Sequence, residues 1–249
     1  MVGAAGWAVL GPDPGIARWA AAALPAACAA IAMRPGDWRC GDTWHAGVDI
    51  LPNGTDGSVG GVDFAWSALG LAPQPLHAGQ VSVVRPGYPQ PWDDEPAAAF
   101  GYRLRCDAAH VDGILPIGPL RQRMIREPHG WILGLPLNAC GAGASPLVVW
   151  EGSHYIMRAA LLAACAGVAE QAWDQVDVTQ PYQAARKRVF AECHRREVPV
   201  APGQATLIHR LCLHGVAPWA MGAFAPPEGR VIAYFRPMLR SVAAWLHDL

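Results

Sequence analysis

The stretch PGQATLIHRLCLHGVAPW, residues 202–219, decides the fold. It opens on a Pro-Gly turn, continues through an apolar run, and ends at His214 followed by a glycine. A short apolar run bounded by turn residues reads as a buried strand, here QATLIHRL (204–211). His214 then stands at a strand end, where an imidazole can face a cavity. By itself such a histidine is more often a core residue satisfied by backbone. It becomes informative only with partners from elsewhere in the chain.

Outward from this stretch the same texture recurs. VSVVRP (81–86), WILGLPLN (131–138), PLVVWEG (146–152) and RVIAYFRP (230–237) have strand composition. FGYRLRCDAAHVDG (100–113) begins with alternating bulky and polar residues, which predicts another strand. Helices are expected over 16–33 with an interruption near Pro25, briefly within 61–71, and over 153–175 and 180–195. A short helix closes the chain at 239–249. Residues 34–80 and the loop 87–98 are rich in turn formers. Short strands with helical insertions predict a mainly β fold with flanking helices, a double-stranded β-helix or jelly-roll barrel, rather than an alternating α/β sheet. No linker composition divides the chain. We read residues 1–249 as one domain with a core at about 80–237 and a helical and loop elaboration at 1–80.

The net charge of -1 removes the bulk electrostatic case for nucleic acid or an anionic membrane. The seven cysteines are odd in number and irregularly spaced, with no CxxC pair, so neither a disulfide framework nor a structural zinc site is expected. Reduced thiols in a cytoplasmic setting fit best. The apolar, alanine-rich stretch Trp19–Met33 contains Pro25 and lacks a basic leader. We read it as a surface or buried helix rather than a membrane span or signal peptide. No feature of the sequence reports the oligomeric state.

The chemistry begins at His110-Val111-Asp112. In a strand, residues two apart share a face, so an imidazole and a carboxylate at this spacing can grip one metal ion. The triplet alone arises readily by chance. With His214 it becomes two histidines and one carboxylate, the set that leaves open positions on ferrous iron for a bidentate co-substrate and oxygen. Arg230 opens the strand RVIAYFRP, and a guanidinium suits the distal carboxylate of a 2-oxo diacid. Alternation places Arg230, Ile232, Tyr234 and Arg236 on one face, so Arg236 is a rival anchor.

The order of these pieces resembles the phytanoyl-CoA dioxygenase family of 2-oxoglutarate-dependent oxygenases. The matching stretches are AAHVDG (108–113), SPLVVWEGSH (145–154), PGQATLIHRLCLHGVAPW (202–219) and Arg230. The resemblance spans roughly residues 80–237. It implies a double-stranded β-helix, Fe(II) held by His110, Asp112 and His214, and 2-oxoglutarate held by Arg230. It also favours His214 over His209. Two departures stand out: Trp219 where the family often has asparagine, and a longer loop, AMGAFAPPEG (220–229), before Arg230. Relatives that halogenate lack the carboxylate. This chain keeps Asp112, which implies hydroxylation of a small organic substrate with release of succinate and CO2.

The segments Asp42–Asp49 and Tyr88–Trp92 are candidate pocket walls, though such aromatics also serve to pack loops onto a barrel. Arg121, Arg123 and Arg126 are candidates for an anionic substrate, against a solvated basic loop partnered by Glu127. His45, His129 and His154 read as structural. Two other readings stay open: a cupin-like metalloenzyme that needs no 2-oxo acid, for which Arg230 is dispensable, and a non-catalytic barrel that binds a small molecule.

Overall fold

A computed structural model describes residues 2–92 and 94–247. Asp93 in the 87–98 loop, and Asp248 and Leu249 of the expected closing helix, lie outside the described residues. In chain order the elements are β1 (Trp7–Leu10), α1 (Pro14–Ala32), β2 (Trp38–Arg39), β3 (Trp44–His45), α2 (Trp66–Leu69), β4 (Gln80–Val84), α3 (Ala97–Arg105), β5 (Ile114–Ile117), β6 (Gln122–Ile125) and β7 (Trp131–Pro136). There follow β8 (Leu147–Trp150), α4 (Ser153–Cys165), α5 (Thr179–Glu192), β9 (Arg195–Val198), β10 (Ala205–His209), β11 (His214–Val216), β12 (Arg230–Phe235) and α6 (Val242–His247).

Two antiparallel sheets face each other. The larger has seven strands in the order β1-β10-β7-β12-β4-β3-β2, and the smaller is β11-β8-β9. Strand neighbours are distant in sequence: β10 pairs β7, and β12 lies between β7 and β4. Such pairing is the mark of a jelly roll, in line with the sequence reading. β1 and β3, from the first eighty residues, extend the larger sheet by pairing β10 and β4.

Alternation along each strand sorts side chains into layers. On β12, Val231, Ala233 and Phe235 point outward into a cluster with Ile16, Trp19 and Ala23 of α1. Arg230, Ile232 and Tyr234 therefore point between the sheets. On β8, Val148 and Trp150 pack under α4 and α5 with Met157, Leu161 and Val189, whereas Leu147 and Val149 join Ile132 and Ile208 between the sheets. α1 begins at Asp13, whose Oδ1 accepts the backbone N–H groups of Gly15 and Ile16 at 2.7 and 3.1 Å, with Pro14 at the first helical position. It runs through Pro25 without a break. It begins two residues before the expected start and ends one before the expected end, and by length and apolarity alone it meets the requirement for a membrane span; Ile16, Trp19, Ala20, Ala23 and Ala27 are buried against the sheet.

The expected break at Pro25 is thus absent, and three further expectations need correction. Residues 97–105 form a helix, not a strand. The run Ala97–Ala99 and the following arginines and leucine are good helix formers, and none of the nine residues is buried, so no sheet neighbour rewards the alternation. The 153–175 helix stops at Cys165, because Gly167 takes a left-handed φ of +80°, and a 3₁₀ turn covers Glu170–Gln175. α5 ends at Glu192, and Arg195–Val198 becomes the edge strand β9.

Candidate metal centre

Cross-strand register assembles the site. His214 lies opposite Val149, an interior residue, so its imidazole faces the space between the sheets. His110 in turn lies directly opposite His214. Their backbones exchange both hydrogen bonds, His110 N–H to His214 O at 2.8 Å and His214 N–H to His110 O at 3.0 Å. The two imidazoles become neighbours, with ring centroids 4.7 Å apart. Asp112, two residues on, reaches the same point. One ligand atom from each of His110, Asp112 and His214 lies within 4.8 Å of the others.

Several residues fix this geometry. Asp107 and Ala108 both take φ of +51°, turning the chain sharply from α3 into the His110 segment. Asp107 is held by Arg195 through a bidentate pair at 2.7 and 2.9 Å. Gly215 is required by close approach: a Cβ there would sit 2.2 Å from the Asp107 carbonyl oxygen. Tyr182 on α5 holds the other side, its hydroxyl accepting the Val111 N–H at 3.1 Å. The His214-Gly215 pair was visible in the sequence; nothing there singled out Asp107, Tyr182 or Arg195.

The imidazoles are oriented for coordination. Nδ1 of His110 lies 3.0 Å from the Ala108 carbonyl, and Nδ1 of His214 lies 2.9 Å from the Cys212 carbonyl. A carbonyl only accepts, so each Nδ1 carries the proton, and each Nε2 is the free ligand atom. Those Nε2 atoms lie 3.2 Å (His110) and 3.8 Å (His214) from Asp112 Oδ1. The other oxygen, Oδ2, accepts from Arg236 Nη1 at 3.1 Å. Arg236, a rival anchor for a 2-oxo diacid in the sequence, is thus committed to Asp112.

Protonation follows from these contacts. Burial opposes charge on Asp112, but the hydrogen bond from His110, with the fields of His214 and Arg236, keeps its pKa well below the carboxylate range. Burial, with His110 beside it, pushes His214 down to about 4. Partial desolvation in the cavity works against a charged His110, whose side chain is 51% exposed, yet the Asp112 hydrogen bond outweighs it and the pKa rises. The cluster therefore sets an ionised Asp112 beside a neutral His214, and a metal ion at Nε2 of His110 would compete with the proton that Asp112 favours there.

The cluster opens into a cavity of about 610 Å³, with Trp44, Tyr88, Trp92 and Ile208 among its apolar walls. Arg230 lies elsewhere along the same interior face. It lines a smaller neighbouring cavity, and Leu147 and Tyr234 border both. Arg230 is only 8% exposed, and its Nε and Nη2 have no hydrogen-bond partner among the described residues. Of the three arginines after the His-x-Asp segment, only Arg123 lines the large cavity. Arg126 pairs with Asp174 at 3.6 Å, Arg121 is exposed, and Glu127 pairs with His129 at 3.3 Å rather than with an arginine.

No family model matches the chain, and no curated protein does. Solved structures with similarity include the non-heme alpha ketoglutarate dependent carbocyclase SnoK from nogalamycin biosynthesis (16% identity, TM-score 0.48, 94% of this chain and 79% of that one). AviO1 from Streptomyces viridochromogenes Tue57 is similar at 16% identity and TM-score 0.44, over 95% of this chain and 91% of that one. The non-heme iron oxygenase OrfP, in complex with Fe, is similar at 15% identity and TM-score 0.27 over 51% and 52%. At these values the function of this chain is decided by its own side chains.

Proposed function

We propose that this protein is an Fe(II)- and 2-oxoglutarate-dependent oxygenase, with His110, Asp112 and His214 as metal ligands and Arg230 as the anchor of the co-substrate. The observation that carries the reading is the convergence of two Nε2 atoms and one carboxylate oxygen at the wall of a large cavity, with both Nδ1 atoms tied to carbonyls. Two nitrogens and one oxygen from one side suit ferrous iron with its other positions open. Arg230 supplies the second fit: a guanidinium is always charged, and burying it with two unpartnered nitrogens is costly unless an anion completes it.

Ferrous iron bound here, with 2-oxoglutarate, would supply oxygen activation coupled to decarboxylation to succinate and CO2. The rest is done by the chain. Asp112 stays ionised because His110 and Arg236 hold its two oxygens. The Ala108 and Cys212 carbonyls keep both Nε2 lone pairs toward the metal position. Trp44, Tyr88, Trp92 and Ile208 give a substrate apolar surface to pack on beside the metal position. Retention of Asp112 supports hydroxylation of a small organic substrate, as the phytanoyl-CoA dioxygenase resemblance implies. The unpaired cysteines, all seven of them, support a reducing, cytoplasmic setting.

One observation favours a second reading, a metalloenzyme that needs no 2-oxo acid. Arg230 and the metal ligands line different cavities, so co-substrate use requires these to join at the Leu147–Tyr234 wall. Anaerobic addition of Fe(II) and 2-oxoglutarate decides between them. We expect a weak visible charge-transfer band, absent in His110→Ala and weakened in Arg230→Ala. Bound iron without the band would establish the second reading; a failure to bind iron or surrogate divalent ions would leave a non-catalytic barrel.

A further inference from the structure

The large cavity carries more positive charge than its own residues neutralise. Five charged groups besides Asp112 line it: Arg103, Arg123, Arg186, Arg236 and Glu127. Three have partners already. Arg103 is held by Glu95 at 2.8 Å, Arg236 by Asp112 at 3.1 Å, and Glu127 lies against His129. Arg123 and Arg186 have no carboxylate within ion-pair distance among the described residues. Among the described residues, the one side-chain hydrogen bond of Arg123 is a long 3.5 Å contact to the Ile114 carbonyl.

Arg186 is also fixed in place. Its guanidinium carbon lies 5.6 Å from the ring centres of Tyr102, Tyr182 and Phe190, and its Nε is buried without a hydrogen-bond partner. Rings position a guanidinium and partly offset its desolvation, but they return no countercharge. Tyr182 ties the two arginines to the metal ligands. Its hydroxyl accepts from Val111, between His110 and Asp112, and it feels the fields of Arg186, Arg123 and Asp112.

We propose that Arg186 on α5 and Arg123 on β6 form an oxyanion-binding end of the cavity, selecting a substrate that carries a carboxylate or phosphate on an apolar body. This rests on the reading of the cavity as the substrate site of a metal-dependent oxygenase. A guanidinium pre-set by stacking gives up little freedom on meeting an oxyanion, so it discriminates charge strongly. The aromatic walls then take the apolar part of the molecule toward the metal ligands.

The test uses the full chain, loaded with Fe(II) and 2-oxoglutarate under anaerobic conditions and, separately, without either. Tryptophan fluorescence is a direct readout, because Trp44 and Trp92 line the cavity. The probes are 4-phenylbutanoate, its neutral amide and 4-phenylbutyl phosphate. We expect at least one anion to bind ten-fold or more tightly than the amide, with the stronger anion naming the substrate class. That preference should fall to within two-fold in Arg186→Gln and in Arg123→Gln, and survive in Arg121→Gln, which changes an exposed residue outside the cavity. Arg186→Lys, which keeps the charge, should retain part of it if Arg186→Gln proves unstable. Equal affinity of the parent for acid, phosphate and amide, absence of binding included, overturns the proposal, as does a preference that persists in both Gln variants. So does loss of the 2-oxoglutarate charge-transfer band in those variants, which would make them co-substrate anchors. Anion preference without any band would overturn the oxygenase reading and leave the oxyanion site standing.

Discussion

The protein contains two close histidine pairs, and only one is built as a site. His110 and His214 have ring centroids 4.7 Å apart; His154 and His209 have theirs 4.6 Å apart. The first pair shares a carboxylate, faces the large cavity and has each Nδ1 held by a carbonyl. The second has no carboxylate partner among the described residues, and His154 Nδ1 and His209 Nε2 are buried without hydrogen bonds. It fills space under the β1 turn, where a Cβ on Gly6 would lie 2.4 Å from His154 Nδ1. Strand alternation explains the division. On β10, Thr206 and Ile208 face the interior, which sends His209 to the outer face with Leu207. Proximity of imidazoles is therefore not what makes the site; the carboxylate at i+2 and the open side are.

The strongest way to break this comparison is to remove the carboxylate. Asp112→Ala should weaken Fe(II) or Co(II) binding by about 100-fold or more, beyond the roughly 10–100-fold cost of losing an outer partner. His209→Gln should leave metal affinity within about two-fold. Equal losses in an anaerobic titration would erase the distinction between the pairs.

Arg230 comes next, and its two effects should differ in sign. Arg230→Met should weaken 2-oxoglutarate binding by on the order of 10–100-fold, read from the charge-transfer band. In the metal-free protein the same change removes a buried charge with unpartnered donors, whose burial costs about 1–3 kcal/mol. Thermal stability of that form should hold or rise. A sharp fall in both would show that Arg230 is structural.

Gly215→Ala sharpens the contrast by disturbing register alone. Its new Cβ would meet the Asp107 carbonyl at 2.2 Å and push the His110 segment off β11. We expect a loss of about 1–3 kcal/mol in stability and a smaller fall in metal affinity than Asp112→Ala gives. Urea unfolding beside the metal titration checks both.

Much of this was legible in the sequence, and the boundary is physical. Strands with both faces covered, such as LVVW and RVIAYF, announce themselves by composition, and they suffice for the jelly roll. His110, Asp112 and His214 were readable because their spacing encodes a shared face. Arg236 was legible as an interior residue but not as the partner of Asp112, since that contact joins positions 124 residues apart. Tyr182 and Arg186 were hidden in a segment from which the sequence predicts only a helix, and the docking of α5 is what turns Arg186 inward. The exposed α3 shows the reverse failure: with no burial to enforce a pattern, local alternation carried no meaning.

The smallest effect tests the second histidine pair as a purely structural one. Burial, with His154 and two arginines nearby, holds the His209 pKa down to about 3, below its ordinary 6.5. Between those values the unfolded chain takes up a proton that the folded chain refuses. The contribution of His209 to stability is therefore complete above pH 6.5 and drains away as the pH falls toward 3, at up to about 1.4 kcal/mol per pH unit. His209→Gln should show a shallower decline in urea unfolding between pH 7 and pH 5. His214 carries a shift of the same sign in the metal-free protein, so the informative quantity is the difference between parent and His209→Gln. That difference should be the same with and without bound metal, because a metal ion replaces the proton only at the first pair. A difference that changes on metal loading would mean the two pairs are coupled through the short Arg210–Leu213 segment between the strands that carry them.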